Sequence, residues 1–277
     1  MQHNSVRLAA ALAAVGAVLP VYLTAPGHVS RRRRAIFRGV NYAHRGLHTR
    51  DRSIPENSLE AFRLAAKHGY GIELDVQLSK DGRVVVFHDD TLDRVCGVHA
   101  RVEDLTWSEL SGLRLCGTDQ RIPLFSEVLR SVHGCEALIV ELKNGSRNRL
   151  LCEKTCALLR DYRGHVCVES FNPLIVMWFR FHARNLLRGQ LATSLKDYAE
   201  DGITGPKAFL LHNTLLNFLA RPQFIAYRIG PRPPLVRLCT ALGALNIGWT
   251  SHEPRNEKKR DAVIFEFYRP RPRYLDR

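Results

Sequence analysis

The chain has 277 residues, of which 41 are Lys or Arg and 27 are Asp or Glu, so its formal net charge is +14. A hydrophobic fraction of 45% and a charged fraction of 25% are typical of a globular protein and exclude disorder, collagen or a coiled coil as the whole structure. The 7 cysteines are odd in number, and the only close pair, Cys152 and Cys156, lacks zinc-finger spacing. We therefore expect free thiols rather than a disulfide framework.

An uncharged apolar run of 18 residues, Leu8 to Ala25, is followed by Arg31 to Arg34. Its possible interpretations are a cleaved signal peptide, a membrane-spanning anchor and a buried Ala-rich helix. A signal peptide carries its charge mainly in front of the apolar stretch, whereas here most of the charge follows it. We favour an anchor, for which the run just reaches the required length. Residues 1–34 are then an anchor helix and a basic linker, and the positive-inside rule predicts that residues 35–277 lie in the cytoplasm.

The charge of the remaining chain indicates anionic partners. Residues 1–34 contain five arginines and no acid, so residues 35–277 keep +9 of the net charge of +14. A basic surface attracts anionic lipid headgroups and nucleic acid alike, and charge does not choose between them. We expect the membrane, through the apolar helix and the basic surface, to be the partner rather than nucleic acid. The oligomeric state is not predicted.

From Val40 onward, short β-rich runs alternate with amphipathic helical stretches. One helix is predicted over 58–66, with Gly69 as its stop, and another over 150–160. The repetition of strand and helix predicts an α/β fold, a (β/α)8 TIM barrel formed by one domain over residues 35–277. The predicted strands cover 40–44, 71–77, 83–88, 137–143, 166–170, 187–191, 224–227, 246–250 and 262–266.

Nine predicted strands are one too many for an eight-stranded barrel. Lys80, Asp81 and Gly82 form a turn signal between the second and third strands, so these two strands are candidates for a local hairpin. The sequence does not decide which strand lies outside the barrel wall. Residues 91–132 interrupt the alternation, and we expect a small insertion there, after the strand that ends at His88.

The second strand carries two carboxylates in an otherwise apolar run. Because residues two apart face the same side of a strand, Glu73 and Asp75 both point into the barrel while Leu74 faces the helices. Burying two carboxylates without a cation is costly, and a divalent cation with oxygen ligands, Mg²⁺ or Ca²⁺, explains the pair most simply. Salt bridges to Arg or Lys are the alternative.

Three further strands also end in polar residues. The fourth strand places Glu141 and Lys143 on one face, which suits a third metal ligand and a phosphate-binding cation or, alternatively, an internal ion pair. His44 and Arg45 end the first strand, and His88 ends the third. Taken alone, each histidine could be a surface or core residue. In a barrel, however, the carboxyl ends of the strands meet at one rim, where barrel enzymes have their active sites.

Two imidazoles, three carboxylates, an arginine and a lysine at one rim suit metal-assisted phosphodiester cleavage. A cation and basic side chains stabilise the charge that develops on the phosphoryl group. One histidine can deprotonate the nucleophile while the other protonates the leaving alcohol. The other histidines do not end apolar strands in this way, and we expect them to be surface or structural residues.

In this order and combination, the motifs resemble those of the glycerophosphodiester phosphodiesterase family. The resemblance is strong from about Val40 to Leu142 and fainter to Phe267. The segments that carry it are His44-Arg45-Gly46, Pro55-Glu56-Asn57-Ser58, Ala61-Phe62, Glu73-Leu74-Asp75-Val76-Gln77, Lys80-Asp81-Gly82, Val86-Phe87-His88-Asp89, Thr91-Leu92-Asp93-Arg94, Ile122-Pro123 and Val140-Glu141-Leu142-Lys143. The chain departs from the family pattern near its C-terminus, where the segment from Trp249 to Asp261 is short and the last strand lacks a Thr-Asp ending.

The resemblance implies a TIM barrel that hydrolyses glycerophosphodiesters to glycerol 3-phosphate and an alcohol with a divalent cation, Mg²⁺ or Ca²⁺. It also implies that His44 and His88 are the acid/base pair and that Arg45 and Lys143 contact the phosphate. The implied metal ligands are Glu73, Asp75 and Glu141, and the implied supporting residues are Glu56 and Asn57. We therefore expect a membrane-anchored member of this family that acts on a small-molecule diester at the cytoplasmic face.

Two alternatives remain open. An enzyme that cleaves intact or lyso-phospholipids in the manner of phospholipase C or D would be favoured by an apolar rim at the barrel mouth. A non-catalytic basic module that binds membrane or nucleic acid would need neither the two histidines nor the carboxylates of the second strand.

Overall fold

The computed structural model describes Arg7, Gly16 and residues 18–132 and 137–274. Nine strands of this part of the chain form one sheet. The strands are β1 (Asn41–Ala43), β2 (Gly71–Leu78), β3 (Val84–Val86), β4 (Leu138–Leu142), β5 (Val166–Ser170), β6 (Leu187–Ala192), β7 (Phe224–Arg228), β8 (Leu245–Ser251) and β9 (Ala262–Phe265).

Eight of the strands close into a parallel barrel in the order β1-β9-β8-β7-β6-β5-β4-β2, and pairing of β1 with β2 completes the ring. The predicted TIM barrel is therefore confirmed. β3 pairs with β2 in the antiparallel direction and lies outside the ring, so it is the strand that the sequence left unassigned. Its hairpin turn has Gly82 at a φ of 73°, and the Asp81 carboxylate accepts a hydrogen bond from the Ser79 hydroxyl at 2.6 Å.

Helices connect the strands along the outside of the barrel. They are α1 (Arg31–Phe37), α2 (Leu59–Lys67), α3 (Asp93–Cys96), α4 (Trp107–Leu110), α5 (Phe125–Ser131), α6 (Asn148–Arg160), α7 (Pro173–His182), α8 (Leu195–Glu200), α9 (Gly205–His212), α10 (Asn217–Ala220) and α11 (Pro234–Ala241), with 3₁₀ helices at Val102–Asp104 and Pro254–Lys259. The predicted helix over 58–66 corresponds to α2, which begins after the N-cap Ser58 and is followed by Gly69 at a φ of 74°.

Strand side chains alternate between two apolar layers. Leu74 and Val76 face outward into the layer beneath the helices, as the strand periodicity predicts. Inward-facing residues such as Ile139, Phe224 and Ile247 fill the barrel interior. Toward the carboxyl ends of β2, β4 and β5, the inward positions are taken by buried carboxylates instead. The two-residue period of the strands therefore places charged side chains at one end of an otherwise apolar barrel interior.

The segment between β3 and α5 forms the insertion expected after His88. It packs around an apolar cluster of its own, which includes Leu92, Val102 and Leu110. The chain then returns to the main helix layer with Phe125 of α5. The insertion thus lies beside the carboxyl end of the barrel and supplies side chains to its edge.

Half of the predicted anchor, residues 8–25, lies outside the described residues, namely 8–15 and 17. Residues 18–24 are helical and pack where β6 and β7 begin: Arg221 donates hydrogen bonds to the carbonyl oxygens of Tyr22 and Ala25, both at 2.9 Å. Tyr22 also stacks on Phe218 at a centroid distance of 6.0 Å. Within the described ranges, no helix combines the length and the apolar character that a membrane span requires.

Candidate functional site

The carboxyl ends of the strands surround a cavity of about 1400 Å³. Predicted site residues from β1, β2, β4 and the end of the β3 hairpin reach this cavity because parallel strands present their carboxyl ends at one rim. Seven of the nine line the cavity directly, and Asp75 and Asn57 contact residues that line it. The residues that line the cavity directly are His44, Arg45, Glu56, Glu73, His88, Glu141 and Lys143.

Three buried carboxylates converge at the floor of the cavity. Glu73, Asp75 and Glu141 each offer an oxygen atom, and these atoms lie within 4.8 Å of one another. All three side chains are at least nine-tenths buried, and Asp75 Oδ1 has no hydrogen-bond donor among the described residues. Oxygen donors at this spacing fit a hard divalent cation such as Mg²⁺ or Ca²⁺.

The ion pairs that were the alternative to a metal are also present. Lys143 Nζ lies 2.9 Å from Glu141 and 3.6 Å from Asp75, and Arg45 Nε lies 3.6 Å from Asp75. These two cations leave the site short of positive charge, because no Lys or Arg side chain of the described residues lies within 4.0 Å of Glu73. Burial and the charge of Asp75 raise the pKa of Glu73 well above its usual range. The donor set therefore fits a divalent cation in addition to its internal ion pairs.

The turn after β1 aims Arg45 at the carboxylates. Arg45 and Gly46 both have left-handed backbones, with φ values of 52° and 80°. A Cβ atom on residue 46 would lie 2.9 Å from the backbone of Ala61, so glycine is required there. In this conformation the backbone N–H of Arg45 donates to Glu73 Oε2 at 2.9 Å. The cost of a left-handed arginine is typical of a backbone held for function.

Glu56 holds the Arg45 guanidinium in place, and Asn57 holds the Asp75 carboxylate. Asn57 Nδ2 donates to Asp75 Oδ2 at 2.9 Å. Glu56 accepts hydrogen bonds from Arg45 and from Arg94, both at 2.7 Å. Burial opposes ionisation of Glu56, but the Arg94 hydrogen bond and the charge of Arg45 lower its pKa to about 2. Glu56 is thus ionised and fixes the orientation of the Arg45 guanidinium.

His44 lies between two carboxylates. Its Nδ1 is 3.1 Å from Glu266 Oε2 and its Nε2 is 3.9 Å from Glu73 Oε2. Burial opposes ionisation of Glu266, but the hydrogen bond from His44 and the proximity of His48 lower its pKa, so this carboxylate is ionised. An ionised carboxylate only accepts hydrogen bonds, so His44 carries its proton on Nδ1 and presents Nε2 to the cavity. Burial and the charge of Arg45 lower the pKa of His44.

His88 has the same arrangement with a different carboxylate. Its Nδ1 lies 2.6 Å from Asp89 Oδ1, and Arg94 donates to the second oxygen of Asp89 at 2.6 Å. Burial, followed by the charge of Lys143, lowers the pKa of His88 to about 4. Each histidine therefore has one nitrogen fixed by a carboxylate and the other available for proton transfer.

Several residues at the site were not among the predicted ones, including Asp89, which orients His88. Glu169 lies at an inward position of β5, and Glu266 directly follows β9. Both come after apolar runs, the same signal that identified Glu141, so the sequence pattern could have revealed both. His48, expected to be structural, lines the cavity 3.6 Å from Glu266, and His252 lies 3.4 Å from the same carboxylate. Both histidines lie outside the helices and strands, where no periodic pattern indicates the direction of a side chain.

The side of the cavity away from β1 and β2 is lined mainly by apolar residues, together with the charged side chains of Asp201, Lys207 and Arg228. Leu191 of β6 and Trp249 of β8 line it, and Phe171 packs edge-on against Trp249 at a centroid distance of 5.7 Å. At the mouth, Leu174 is 55% exposed and Leu210 is 36% exposed. The long connection between β6 and β7 covers this side with the lining residues Ile203, Leu210, Leu211 and Leu216.

Comparison with known proteins places this arrangement in a family. The sequence profile described as "Glycerophosphoryl diester phosphodiesterase family" matches residues 44–266. A glycerophosphodiester phosphodiesterase of Caldanaerobacter subterraneus is 39% identical over 143 residues, which cover 47% of this chain and 57% of that protein. A human lysophospholipase D is 35% identical over 127 residues, which cover 41% of this chain and 40% of that protein. The match thus spans less than two thirds of the length of either relative.

The fold is also similar to solved structures. A phosphodiesterase of Oleispira antarctica in complex with its product sn-glycerol-3-phosphate superimposes with a TM-score of 0.68 and 21% identity, covering 84% of this chain and 94% of that one. At this identity the likeness establishes the barrel, whereas the profile match spans more than half of the chain, from His44 to Glu266. The chain belongs to the glycerophosphoryl diester phosphodiesterase family.

Proposed function

We propose that the protein is a metal-dependent hydrolase that cleaves glycerophosphodiesters to glycerol 3-phosphate and an alcohol. The observation that carries this proposal is the position of His44 and His88 beside the cluster of Glu73, Asp75 and Glu141 in one cavity. Family membership supports the same reaction class.

The two histidines supply the proton transfers in this proposal. One of the two histidines removes a proton from the attacking nucleophile through its Nε2. The other histidine, in its protonated form, gives a proton to the leaving alcohol. A bound phosphodiester carries negative charge, which raises the pKa of a neighbouring imidazole and counteracts the lowering of the His44 and His88 pKa values by burial. The carboxylates Glu266 and Asp89 keep both rings oriented throughout.

Arg45 and Lys143 bind the phosphoryl oxygens in the proposal. Both are held at the cavity by carboxylates, so their charged groups are oriented before substrate arrives. Glu73, Asp75 and Glu141 would hold the divalent cation, which polarises the phosphoryl group when bound. Mg²⁺ and Ca²⁺ are both compatible with an all-carboxylate donor set.

The first experiment measures release of glycerol 3-phosphate from glycerophosphocholine by the full chain with Mg²⁺, with Ca²⁺ and with EDTA. We expect release that requires one of the cations. His44→Ala and His88→Asn should each reduce kcat by about 100-fold to 10,000-fold. Glu153→Gln, on the exposed outer side of α6, is the matched control and should leave turnover unchanged. Folded protein that releases no product with either metal would contradict the proposal.

A second candidate substrate is a lyso-phospholipid, and a specific observation favours it. An apolar rim at the mouth was the condition for this alternative, and the exposed cavity-lining residues Leu174 and Leu210 form such a rim. The apolar side of the cavity continues from the rim toward Trp249 and has room for part of an acyl chain. The similar human protein is named a lysophospholipase D.

A charged substitution at the rim can distinguish between the two candidate substrates. Leu210→Asp should lower kcat/KM for lysophosphatidylcholine about 10-fold, because an acyl chain loses apolar contact there, and leave glycerophosphocholine turnover unchanged. Leu195→Asp alters another exposed leucine, on α8, that does not line the cavity, and serves as the control. Equal losses with both substrates would remove the lyso-phospholipid from consideration.

We also propose that the chain is anchored in a membrane with its barrel in the cytoplasm. The apolar run at residues 8–25 and the arginines that follow support this proposal. The test is the distribution of the full chain between membrane and soluble fractions after carbonate washing. Leu12→Arg combined with Val18→Arg should shift the protein to the soluble fraction. Wild-type protein that is already soluble would contradict the anchor.

A further inference from the structure

The amino end of the barrel carries a basic surface to which the proposed reaction gives no role. Residues 18–38 contain five arginines and residues 180–188 contain three, and neither segment contains Asp or Glu. Among these arginines, only Arg38 lies within 4.0 Å of a carboxylate of the described residues, that of Asp261. The positive charge of this end is therefore largely without a counterion in the described part of the chain.

Hydrogen bonds to main-chain oxygens join the two segments into one surface. Arg33 of α1 donates to the carbonyl oxygen of Asn185, in the segment that follows α7. Arg180 of α7 donates to the carbonyl oxygens of Phe218 and Leu219 in α10, at 2.9 and 2.7 Å. The start of the chain, the end of α7 and the end of α10 thus form a single face, which we call the amino-end surface.

Like charges oppose one another within the amino-end surface. Burial, and after it the charges of Arg180 and Arg33, lower the pKa of Arg188 to about 10. Arg31, Arg32 and Arg184 add three more guanidinium groups at exposed positions of the same segments. An anionic partner placed against this face would relieve the repulsion and would meet these exposed side chains first.

Exposed apolar side chains accompany the arginines and indicate the kind of anionic partner. Tyr22 and Phe181 are each 53% exposed, and the guanidinium groups of Arg221 and Arg180 lie over their rings, both at 5.1 Å from the centroid. Val18 is 64% exposed. A nucleic acid would supply phosphates to the arginines but would leave aliphatic side chains in water. A bilayer surface accommodates basic, aromatic and aliphatic side chains together.

Building on the proposed membrane association, we propose that the amino-end surface docks on an anionic lipid bilayer. Arg31, Arg32 and Arg184 bind lipid phosphates, and Tyr22 and Phe181 lie at the level of the headgroups. The bilayer is then at the end of the barrel opposite the cavity.

This orientation separates the cavity from the bilayer. β2 has eight residues, so with the usual rise and tilt of barrel strands its two ends lie roughly 20 Å apart along the barrel axis. That distance exceeds the Debye length of about 8 Å at physiological salt. The mouth therefore opens to the aqueous phase, and substrate reaches it from water.

The rim of the cavity fits an anionic bilayer less well. Asp90 and Asp201 are exposed there and line the cavity together with Lys207, so the rim has charges of both signs. The apolar rim residue Leu210 then meets lipid molecules that have left the bilayer rather than the bilayer itself.

The test compares hydrogen exchange of the full chain on two kinds of nanodisc, one of phosphatidylcholine and one of equal parts phosphatidylcholine and phosphatidylglycerol. Residues 30–37 and 181–186 should exchange roughly 10-fold more slowly on the anionic lipid. Residues 203–212, beside the mouth, should exchange equally on both.

Two variants of equal charge sharpen the test. The first removes three exposed charges of the amino-end surface, through Arg31→Gln, Arg32→Gln and Arg184→Gln. Each arginine near an anionic surface contributes about fivefold to binding, so this variant should lose most of the protection. The matched control removes three exposed charges elsewhere, through Arg83→Gln, Arg114→Gln and Arg149→Gln, and should keep the protection. Both variants should keep the wild-type melting temperature.

The outcomes separate this inference from the earlier proposals. Equal exchange on the two lipids, or protection of residues 203–212 instead, would overturn docking by the amino end and leave the anchor and the phosphodiesterase proposals standing. Stronger protection of the same segments by duplex DNA than by the anionic nanodiscs would show a nucleic-acid surface and overturn the lipid partner. Wild-type protein that associates with neither nanodisc would overturn this inference together with the anchor.

Discussion

The carboxyl end of the barrel holds more buried carboxylates than its side chains can neutralise, whereas the amino end holds arginines that donate to backbone carbonyl oxygens. At the amino end, Arg188 is 7% exposed and donates to the carbonyl oxygens of Ala220 and Arg221 at 3.0 and 2.9 Å. No carboxylate of the described residues lies within 4.0 Å of its guanidinium. The donors of this side chain are satisfied within the chain itself.

The direction of the helices explains the difference. In a (β/α)8 barrel the helices run opposite to the strands, so their C-terminal carbonyl groups, which lack helical partners, gather at the amino end. Arginines are favourable near the negative ends of the helix dipoles. Arg33 and Arg34 donate to carbonyl oxygens of the segments that follow α7 and α11, those of Asn185 and Gly243. Carboxylates at the opposite end need cations, and the chain supplies too few. The amino end therefore contributes stability, while the carboxyl end is prepared for a ligand.

The largest expected effect comes from removing one carboxylate charge at the carboxyl end of the barrel. Glu73→Gln should lower kcat/KM on the order of 1000-fold, because a neutral amide binds a divalent cation far more weakly than a carboxylate. In EDTA the same variant should be more stable than wild type, since it removes like-charge repulsion among buried carboxylates. Turnover assays and urea unfolding in EDTA check the two parts. If Glu73→Gln were less active and also less stable than wild type in EDTA, the site would not contain an excess of buried negative charge.

The second effect is a pH dependence of stability. The pKa of His88 is lowered to about 4 in the folded protein, so the unfolded chain takes up a proton first as the pH falls below the usual value of 6.5. Folded stability is then lost between pH 6.5 and 4, by roughly 2–3 kcal/mol from this group. Urea unfolding in EDTA at pH 7.5 and 4.5 measures the loss. Between these two pH values, His88→Asn should lose roughly 2–3 kcal/mol less folding stability than wild type. Equal losses in the two proteins would contradict the prediction.

The third effect concerns the carboxylate that orients His44. Glu266→Gln should lower kcat/KM about 30-fold, because an amide no longer fixes the proton on Nδ1. Glu266 also raises the pKa of His44, so its loss should move the acid limb of the pH–rate profile to lower pH. A reduced melting temperature with an unmoved pH profile would indicate a structural role alone.

The smallest effect tests the amino end. Arg188→Ala should destabilise the protein by about 1–2 kcal/mol, because two buried carbonyl oxygens lose their donor. Activity of the remaining folded protein should be unchanged. Arg33→Ala, at a partly exposed site with one carbonyl partner, should cost less than about 1 kcal/mol. If Arg188→Ala reduced turnover instead of stability, the separation between the two ends would fail.

Much of the site could be predicted because it lies on strands. Two-residue periodicity placed Glu73 and Asp75 on one inward face, and the parallel arrangement brought Glu141 and Lys143 to the same rim. The same reasoning reached the correct strand count, but Glu169 and Glu266 were passed over although their strands repeat the pattern. Loop residues such as His48 and His252 gave no signal, because no period governs the direction of a loop side chain.

The sequence by itself determined the nine strands, the turn at Gly82 and the inward carboxylates, since these depend on alternation, backbone preference and local capping. Tertiary structure alone decided that β3 lies outside the ring, that Glu266 orients His44, and that Glu169 is buried without a partner. The physical reason is distance along the chain: His44 and Glu266 meet only when β9 pairs with β1 and closes the barrel. Local patterns fix which residues face inward, but ring closure fixes which of them meet.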